Sequence, residues 1–213
     1  MSDVADATIH VIDDEASVRT ALSRLLTASG FRVAAYESAA QFLDRSFNDS
    51  YGCILLDVNM PGLSGIELQE QLHQSRCTLP IIFLTGHGDI PMSVRAIKAG
   101  AEDFLAKPID KNGLLDAVGR ALERSRKAHQ RQGHTQELEA RLASLTAREQ
   151  EVFNLLILGM LNKQIAFELG NTERTVKAHR HSIMEKMQVK SVAELVVIAT
   201  QLGLMQDSEI PSN

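Results

Sequence analysis

The chain has 213 residues, 44% of them apolar and 23% charged, with a net charge of −5, two cysteines and no tryptophan. That balance suits two domains, each with a core of its own, and is too apolar for a disordered chain. No apolar run approaches the roughly 20 residues that a bilayer demands, and the acidic start Met1-Ser2-Asp3-Val4-Ala5-Asp6 is the reverse of a basic leader, so a cytoplasmic protein with no membrane partner is expected.

Residues 1–122 alternate short β-branched runs with helical patterns, the mark of βαβ units and a parallel sheet covered on both faces. The first strand falls at 8–12. Behind it Val18, Leu22, Leu25 and Ser29 recur at helical spacing, Leu26 widens the stripe, and Gly30 ends the helix. A second strand at 32–36 leads into a short helix around 38–44, and a third at 53–56 into a helix over 64–74. The fourth strand, 80–85, precedes a helix from Pro91 to Gly100. A fifth, 103–105, precedes one that starts near Lys111 with Leu114, Leu115, Val118 and Leu122 inward. The predicted fold is α/β, a flavodoxin-like (βα)5 doubly wound domain. His10, on the first strand, reads as a packed residue and not a ligand. Cys53 and Cys77 lack paired metal or redox spacing and read as buried thiols.

From 123 to 143 the apolar period fades into Arg, Lys, Gln, His and Glu, as in a solvated helical linker, although Leu138, Leu142 and Leu145 would permit a helical pairing stripe. Residues 144–213 read as a small all-α domain. Thr146-Ala147-Arg148-Glu149 is a capping box ahead of Val152, Leu155 and Leu156, and a short second helix carries Ile165, Ala166 and Leu169. Gly170-Asn171 turns the chain, Thr172 caps a third helix, and Ser191 caps a fourth. The negative charge is concentrated in the first domain, which has 10 basic against 16 acidic residues over 1–122. Between Arg174 and Lys190 five basic residues and two histidines meet one acid, a local patch suited to phosphate.

In an open parallel sheet ligands gather beyond the carboxyl ends of the strands, where strand order reverses. Asp13-Asp14-Glu15 follow the first strand, Asp57 ends the third, Thr85 ends the fourth, and Lys107-Pro108 follow the fifth. Converging carboxylates call for a cation, and an all-oxygen set favours Mg²⁺, or Mn²⁺, over zinc. An Asp carboxylate can accept a phosphoryl group when a cation and a positive side chain offset the transferring charge. Asp57 is placed for that role, with Lys107 as the point charge and Thr85 as a hydroxyl donor.

The stretches Val11-Ile12-Asp13-Asp14-Glu15, Leu55 to Gly65 around Asp57, Leu84 to Asp89 and Phe104-Leu105-Ala106-Lys107-Pro108 resemble, in order, the receiver domain of two-component systems. That resemblance implies phosphotransfer to Asp57 from a sensor histidine kinase. It also implies Mg²⁺ held by Asp14, Asp57 and the main-chain carbonyl of Asn59, with Asp13 acting through water and Phe104 as an aromatic switch that follows Thr85. The block from Thr85 to Met92 is similar to the FixJ branch in particular; His87 and Asp89 within it are assigned no chemistry.

Two short helices and a basic third make a helix-turn-helix whose last helix enters the major groove. Val176, Ile183 and Met187 form its buried stripe. Arg174, Ala178, His181 and Glu185 lie opposite with Lys177 at their flank, while Thr175, His179 and Lys186 lie on the other flank, suited to backbone contacts. Leu145 to Glu149, Gly159 to Ala166 and Thr175 to His179 are similar to the LuxR-type helix-turn-helix, and the two domains together resemble the NarL/FixJ family of regulators. By matching positions Lys177, Ala178 and His181 meet the groove, and Asn162 and Lys163 meet phosphate. The family implies a transcription activator that binds double-stranded DNA, contacts RNA polymerase and forms a homodimer on phosphorylation through the helix over 91–100 and the fifth strand. Its own catalysis would be limited to Mg²⁺-dependent self-phosphorylation and dephosphorylation. Two other readings stay open: an FMN-binding flavodoxin-like domain, disfavoured by carboxylates where a phosphate loop is needed, and a phosphorelay intermediate with a protein-binding output domain.

Overall fold

The computed structural model describes residues 7–44, 51–75, 77–86 and 100–205. The helix expected over 91–99, with His87 and Asp89, lies outside them. The chain divides into two compact units, Met1–Gln130 and Arg131–Asn213.

In the first unit five parallel strands, β1 (Thr8–Ile12), β2 (Arg32–Tyr36), β3 (Gly52–Asp57), β4 (Ile81–Thr85) and β5 (Asp103–Ala106), lie in the order β2-β1-β3-β4-β5. Order reverses between β1 and β3, where Ile12 pairs with Leu56 and the loops beyond both strands diverge to opposite sides. Every residue of β3 and β4 is buried because helices cover both faces of the sheet, so these strands read as continuous apolar runs. Alternate side chains feed two cores. Ile12, Ile54, Leu56 and Phe83 face one, joined by Phe42 and Leu68; Ile9, Val11, Leu55, Ile82 and Leu84 face the other, joined by Leu26, Leu114 and Val118.

Helix α1 (Ala16–Ala28) buries Leu22 and Leu26, with Val18 and Leu25 at the margin, and stops at Gly30, whose φ of +91° suits glycine alone. Ser29, expected in the inward stripe, is instead the exposed C-cap residue and donates to the Leu25 carbonyl. α2 (Ala39–Leu43) is capped by Ser38. α3 (Gly65–Gln74) starts in a reciprocal box in which Ser64 and Glu67 satisfy each other's backbone N–H groups. His10 is buried, with Nδ1 3.1 Å from the Tyr36 hydroxyl and its ring against Phe42. Cys53 is buried as expected whereas Cys77 is only half-buried; burial pushes the Cys53 thiol up to about 12 and raises that of Cys77 as well.

α4 (Lys111–Ala143) is helical through the whole polar segment. In the second unit follow α5 (Ala147–Ile157), α6 (Asn162–Glu168), α7 (Glu173–Met187) and α8 (Val192–Gln201). Their core gathers Val152, Phe153, Leu156, Ile165, Val176, Ile183, Met187 and Leu195. Leu138 and Leu145 are buried in it and Leu142 packs against it. These three leucines therefore close a core and do not form the free pairing stripe that their spacing permitted. Among the described residues no helix is long and apolar enough to cross a membrane.

Candidate functional site

Every predicted acidic residue of the first domain arrives at the same end of the sheet, because each follows or ends a parallel strand. Asp13, fully buried, leaves β1; its Oδ1 accepts the Glu15 N–H at 2.9 Å, which curls the loop into α1. Arg19, one turn into α1, clamps that loop by donating to the carbonyls of Asp13 and Asp14 at 2.7 and 2.8 Å. Asp57 ends β3 and is 4% exposed, whereas Asp14 faces solvent. One carboxylate oxygen from each of Asp13, Asp14 and Asp57 lies within 4.8 Å of the others, a spacing one oxygen-loving divalent cation could bridge. Asn59 is exposed beside them, and its N–H reaches Asp57 Oδ1 at 3.4 Å.

Lys107 crosses from the loop after β5 into this group. Its Nζ stands 2.8 Å from Asp13 Oδ2, 3.0 Å from Asp57 Oδ2 and 3.5 Å from Glu15 Oε1. The Lys107 N–H donates to the Thr85 carbonyl at 2.6 Å, and a cis bond joins Lys107 to Pro108. Burial pushes the Asp57 carboxyl above its ordinary range and the Asp13 charge adds to this, while Lys107 and the Asn59 N–H pull the other way. For Lys107 burial works to lower the ammonium, and the hydrogen bonds to Asp13 and Asp57 outweigh it and hold the group above its ordinary value. The site thus carries excess negative charge with one fixed ammonium, an arrangement that favours a cation and then a phosphoryl group.

Thr85, buried, ends β4, and Phe104 lies one strand over with its ring 5.4 Å from that of Phe83. Gly65 opens α3 directly against the end of β3. A Cβ there would sit 2.3 Å from the Asp57 carbonyl oxygen, so only glycine lets α3 approach so closely. In the sequence Gly65 stands only as the end of the receiver-like stretch and Arg19 carries no signal; both act through the main chain, which residue chemistry at strand ends does not advertise.

In the second unit Val176, Ile183 and Met187 are the buried face of α7, and Arg174, Lys177, Ala178 and His181 project to solvent. Thr175 and His179 are half-buried. The Thr175 N–H donates to the Thr172 hydroxyl at 3.2 Å, and His181 Nε2 lies 3.5 Å from Glu185 Oε1. Lys163 is exposed at the start of α6, and Asn162 beside it accepts from Arg180 of α7. Lys186 differs from the expectation of a DNA-backbone contact: its ammonium turns inward to Glu149 Oε2 at 2.6 Å and the Ser144 carbonyl at 3.3 Å, because a nearly buried carboxylate needs a partner. Glu149 also accepts from Ser182 Oγ at 2.6 Å and the Thr146 N–H at 2.8 Å. Arg148 reaches the Leu169 carbonyl at the turn between α6 and α7. The sequence shows Glu149 only as the capping-box residue of α5 and gives no sign of the interhelical roles of Arg148, Glu149 and Arg180, whose partners lie one helix away.

Residues 9–119 match the family model described as the response regulator receiver domain, and residues 143–199 that of bacterial regulatory proteins of the luxR family. Nodulation protein W of Bradyrhizobium diazoefficiens is 44% identical over 93% of this chain and 87% of its own length. The transcriptional regulatory protein FixJ of the same organism is 41% identical over 93% of this chain and 97% of its own. Among solved structures, that of the response regulator StyR is 48% identical with a TM-score of 0.81, covering 92% of this chain and 99% of that one.

Proposed function

Because the chain belongs to the response regulators, joining a receiver domain to a luxR-family regulatory domain, we propose that Asp57 is its phosphoacceptor and that a sensor histidine kinase supplies the phosphoryl group. The protein is a phosphorylation-dependent DNA-binding transcription regulator of the NarL/FixJ family. The luxR-family match favours DNA over a protein-binding output domain, and the receiver match disfavours a flavin site.

The observation that carries the assignment is the meeting of Asp57 Oδ2 and Lys107 Nζ at 3.0 Å, with Asp13 and Asp14 alongside. The donor set fits Mg²⁺, or Mn²⁺: Asp14, Asp57 and the Asn59 carbonyl would hold the ion, and Asp13 would act through water. When bound, the ion neutralises the carboxylates and the oxygens of the incoming phosphoryl group. The Asp57 carboxylate attacks phosphorus in line with the leaving imidazole. Lys107 exchanges its pairing with Asp57 Oδ2 for a phosphoryl oxygen, and Thr85 donates its hydroxyl to another. Phe104 then turns into the space that Thr85 leaves, which changes the β5 surface and promotes a homodimer.

On DNA, α7 lies in the major groove with Arg174, Lys177, Ala178 and His181 toward the bases, Thr175 and His179 toward the backbone, and Asn162 and Lys163 on phosphate. Activation by contact with RNA polymerase, in the cytoplasm, completes the reading. The test is intact-mass analysis after acetyl phosphate and Mg²⁺: one phosphoryl group on the wild type and none on Asp57→Asn is expected. Full labelling of that variant would overturn the assignment.

A further inference from the structure

We propose that Arg180 and Asn162 form a two-residue clamp for one DNA backbone phosphate, with Arg180 setting the orientation of the Asn162 amide; this rests on the DNA-binding reading above. Arg180 lies on the inner flank of α7 and Asn162 opens α6, 18 residues earlier, and both are half-buried. Arg180 Nη1 donates to Asn162 Oδ1, and neither side chain has another hydrogen-bond partner among the described residues.

The chemistry of that bond decides what the pair presents outward. A primary amide offers an acceptor on one side and two donors on the other, and a phosphate, which only accepts, can use the donor side alone. A free amide samples both orientations and in half of them aims its carbonyl at the anion. With Oδ1 already accepting from a guanidinium, the amide is fixed and Nδ2 is left as the outward donor. The guanidinium has five N–H groups and gives only one of them to Asn162. Its remaining donors and its full positive charge, tied to the amide through that one bond, would together with Nδ2 suit the forked oxygens of a phosphodiester. Exposed Lys163, next in sequence, supports the same anion. The clamp also links the two helices that must present one rigid face to the duplex, so Arg180 acts both on phosphate and through Asn162.

Four variants of the full chain test this: Arg180→Ala, Arg180→Lys, Asn162→Ala and Asn162→Asp. Affinity for a random-sequence duplex is followed by fluorescence anisotropy across a KCl series, in constant acetyl phosphate and Mg²⁺, with circular dichroism melting as the check on folding. Each phosphate neutralised adds about 0.9 to the slope of log affinity against log salt. Arg180→Ala is expected to weaken binding about tenfold and to flatten the slope by about 0.9. Arg180→Lys should keep the slope and lose only the part that depends on Asn162. In the Arg180→Ala background, adding Asn162→Ala should cost less than about twofold, because the amide no longer has a fixed orientation.

Asn162→Asp separates this role from a purely structural one. A carboxylate would bind Arg180 more firmly and leave the fold as stable, yet it would set an anion against the phosphate, so DNA affinity should fall further than for Asn162→Ala. An unchanged slope in Arg180→Ala, or undiminished affinity in Asn162→Asp, overturns the clamp while leaving DNA binding in place. Failure of the wild type to bind any duplex, with no salt-dependent signal, overturns the DNA-binding reading itself and the clamp with it.

Discussion

Replacing Glu149 with Gln should loosen the recognition helix by an amount the structure bounds. The carboxylate accepts from Lys186 Nζ, Ser182 Oγ and the Thr146 N–H, so it both caps α5 and holds α7. The Lys186 ammonium is the largest influence that takes its carboxyl from 4.5 to about 2, followed by Ser182 and Thr146. Undiluted, that fall corresponds to about 3.4 kcal/mol. Lys186 is a third exposed, however, and water screens the pair, so about half, roughly 1.7 kcal/mol, is the better figure. Gln keeps the size and can still accept from Thr146 and Ser182, so the variant removes chiefly the charge. Because the native carboxyl is the more acidic one, its stabilisation is complete above about pH 4.5 and is lost as pH falls through about 2. The gap between wild type and Glu149→Gln should then shrink from roughly 1.7 kcal/mol at pH 7 to about 0.7 at pH 3. Native-state hydrogen exchange at the Ile183 and Met187 amides reads α7 separately from the receiver. A gap below about 0.5 kcal/mol at pH 7, or one that does not change with pH, would refute the reasoning.

Three further outcomes are expected. Lys107→Ala should still accept a phosphoryl group from acetyl phosphate, more slowly, but should not gain dimer or DNA affinity on labelling; analytical ultracentrifugation and anisotropy on the labelled variant measure this, and a normal dimer would remove Lys107 from the switch. Gly65→Ala should lose about 1–3 kcal/mol in urea denaturation, because the new Cβ meets the Asp57 carbonyl at 2.3 Å and α3 must shift; equal midpoints would show that the loop yields freely. Lys177→Ala should cost about 1–3 kcal/mol on a specific site if it reads a base edge and flatten the salt slope if it meets phosphate; an unchanged affinity and slope would place it away from DNA.

The two halves of the molecule differ in how far they can be read from sequence, and the reason is geometric. In the receiver the candidate residues Asp13, Asp57, Thr85 and Lys107 sit at or just beyond the carboxyl end of a strand, and a parallel sheet brings all such ends to one edge whatever the details of packing. An alternating βα pattern with Asp13, Asp57, Thr85 and Lys107 in those places is therefore already a three-dimensional statement, and β1 and β2 fall at 8–12 and 32–36 as their apolar runs require. A helical domain offers no such common edge. Helical phase separates the buried stripe of Val176, Ile183 and Met187 from the exposed Arg174 and Lys177, but the flanks between them stay ambiguous. Lys186 and Arg180 lie on those flanks. As charges in a window of one helix they look solvated, and what distinguishes them is a partner 37 residues away on α5 for Lys186 and 18 away on α6 for Arg180. The stripe of Leu138, Leu142 and Leu145 is legible in the sequence but its partner is not, for the same reason: it is filled by Phe153 and its neighbours in the core and not by a second helix of the same kind. It follows that the groups which hold α7 in position are the ones helical periodicity sorts least well, and that the partner decides their role: Lys186 is drawn inward by the Glu149 carboxylate, whereas Arg180, paired with the neutral Asn162 amide, keeps its charge and its other donors for the duplex.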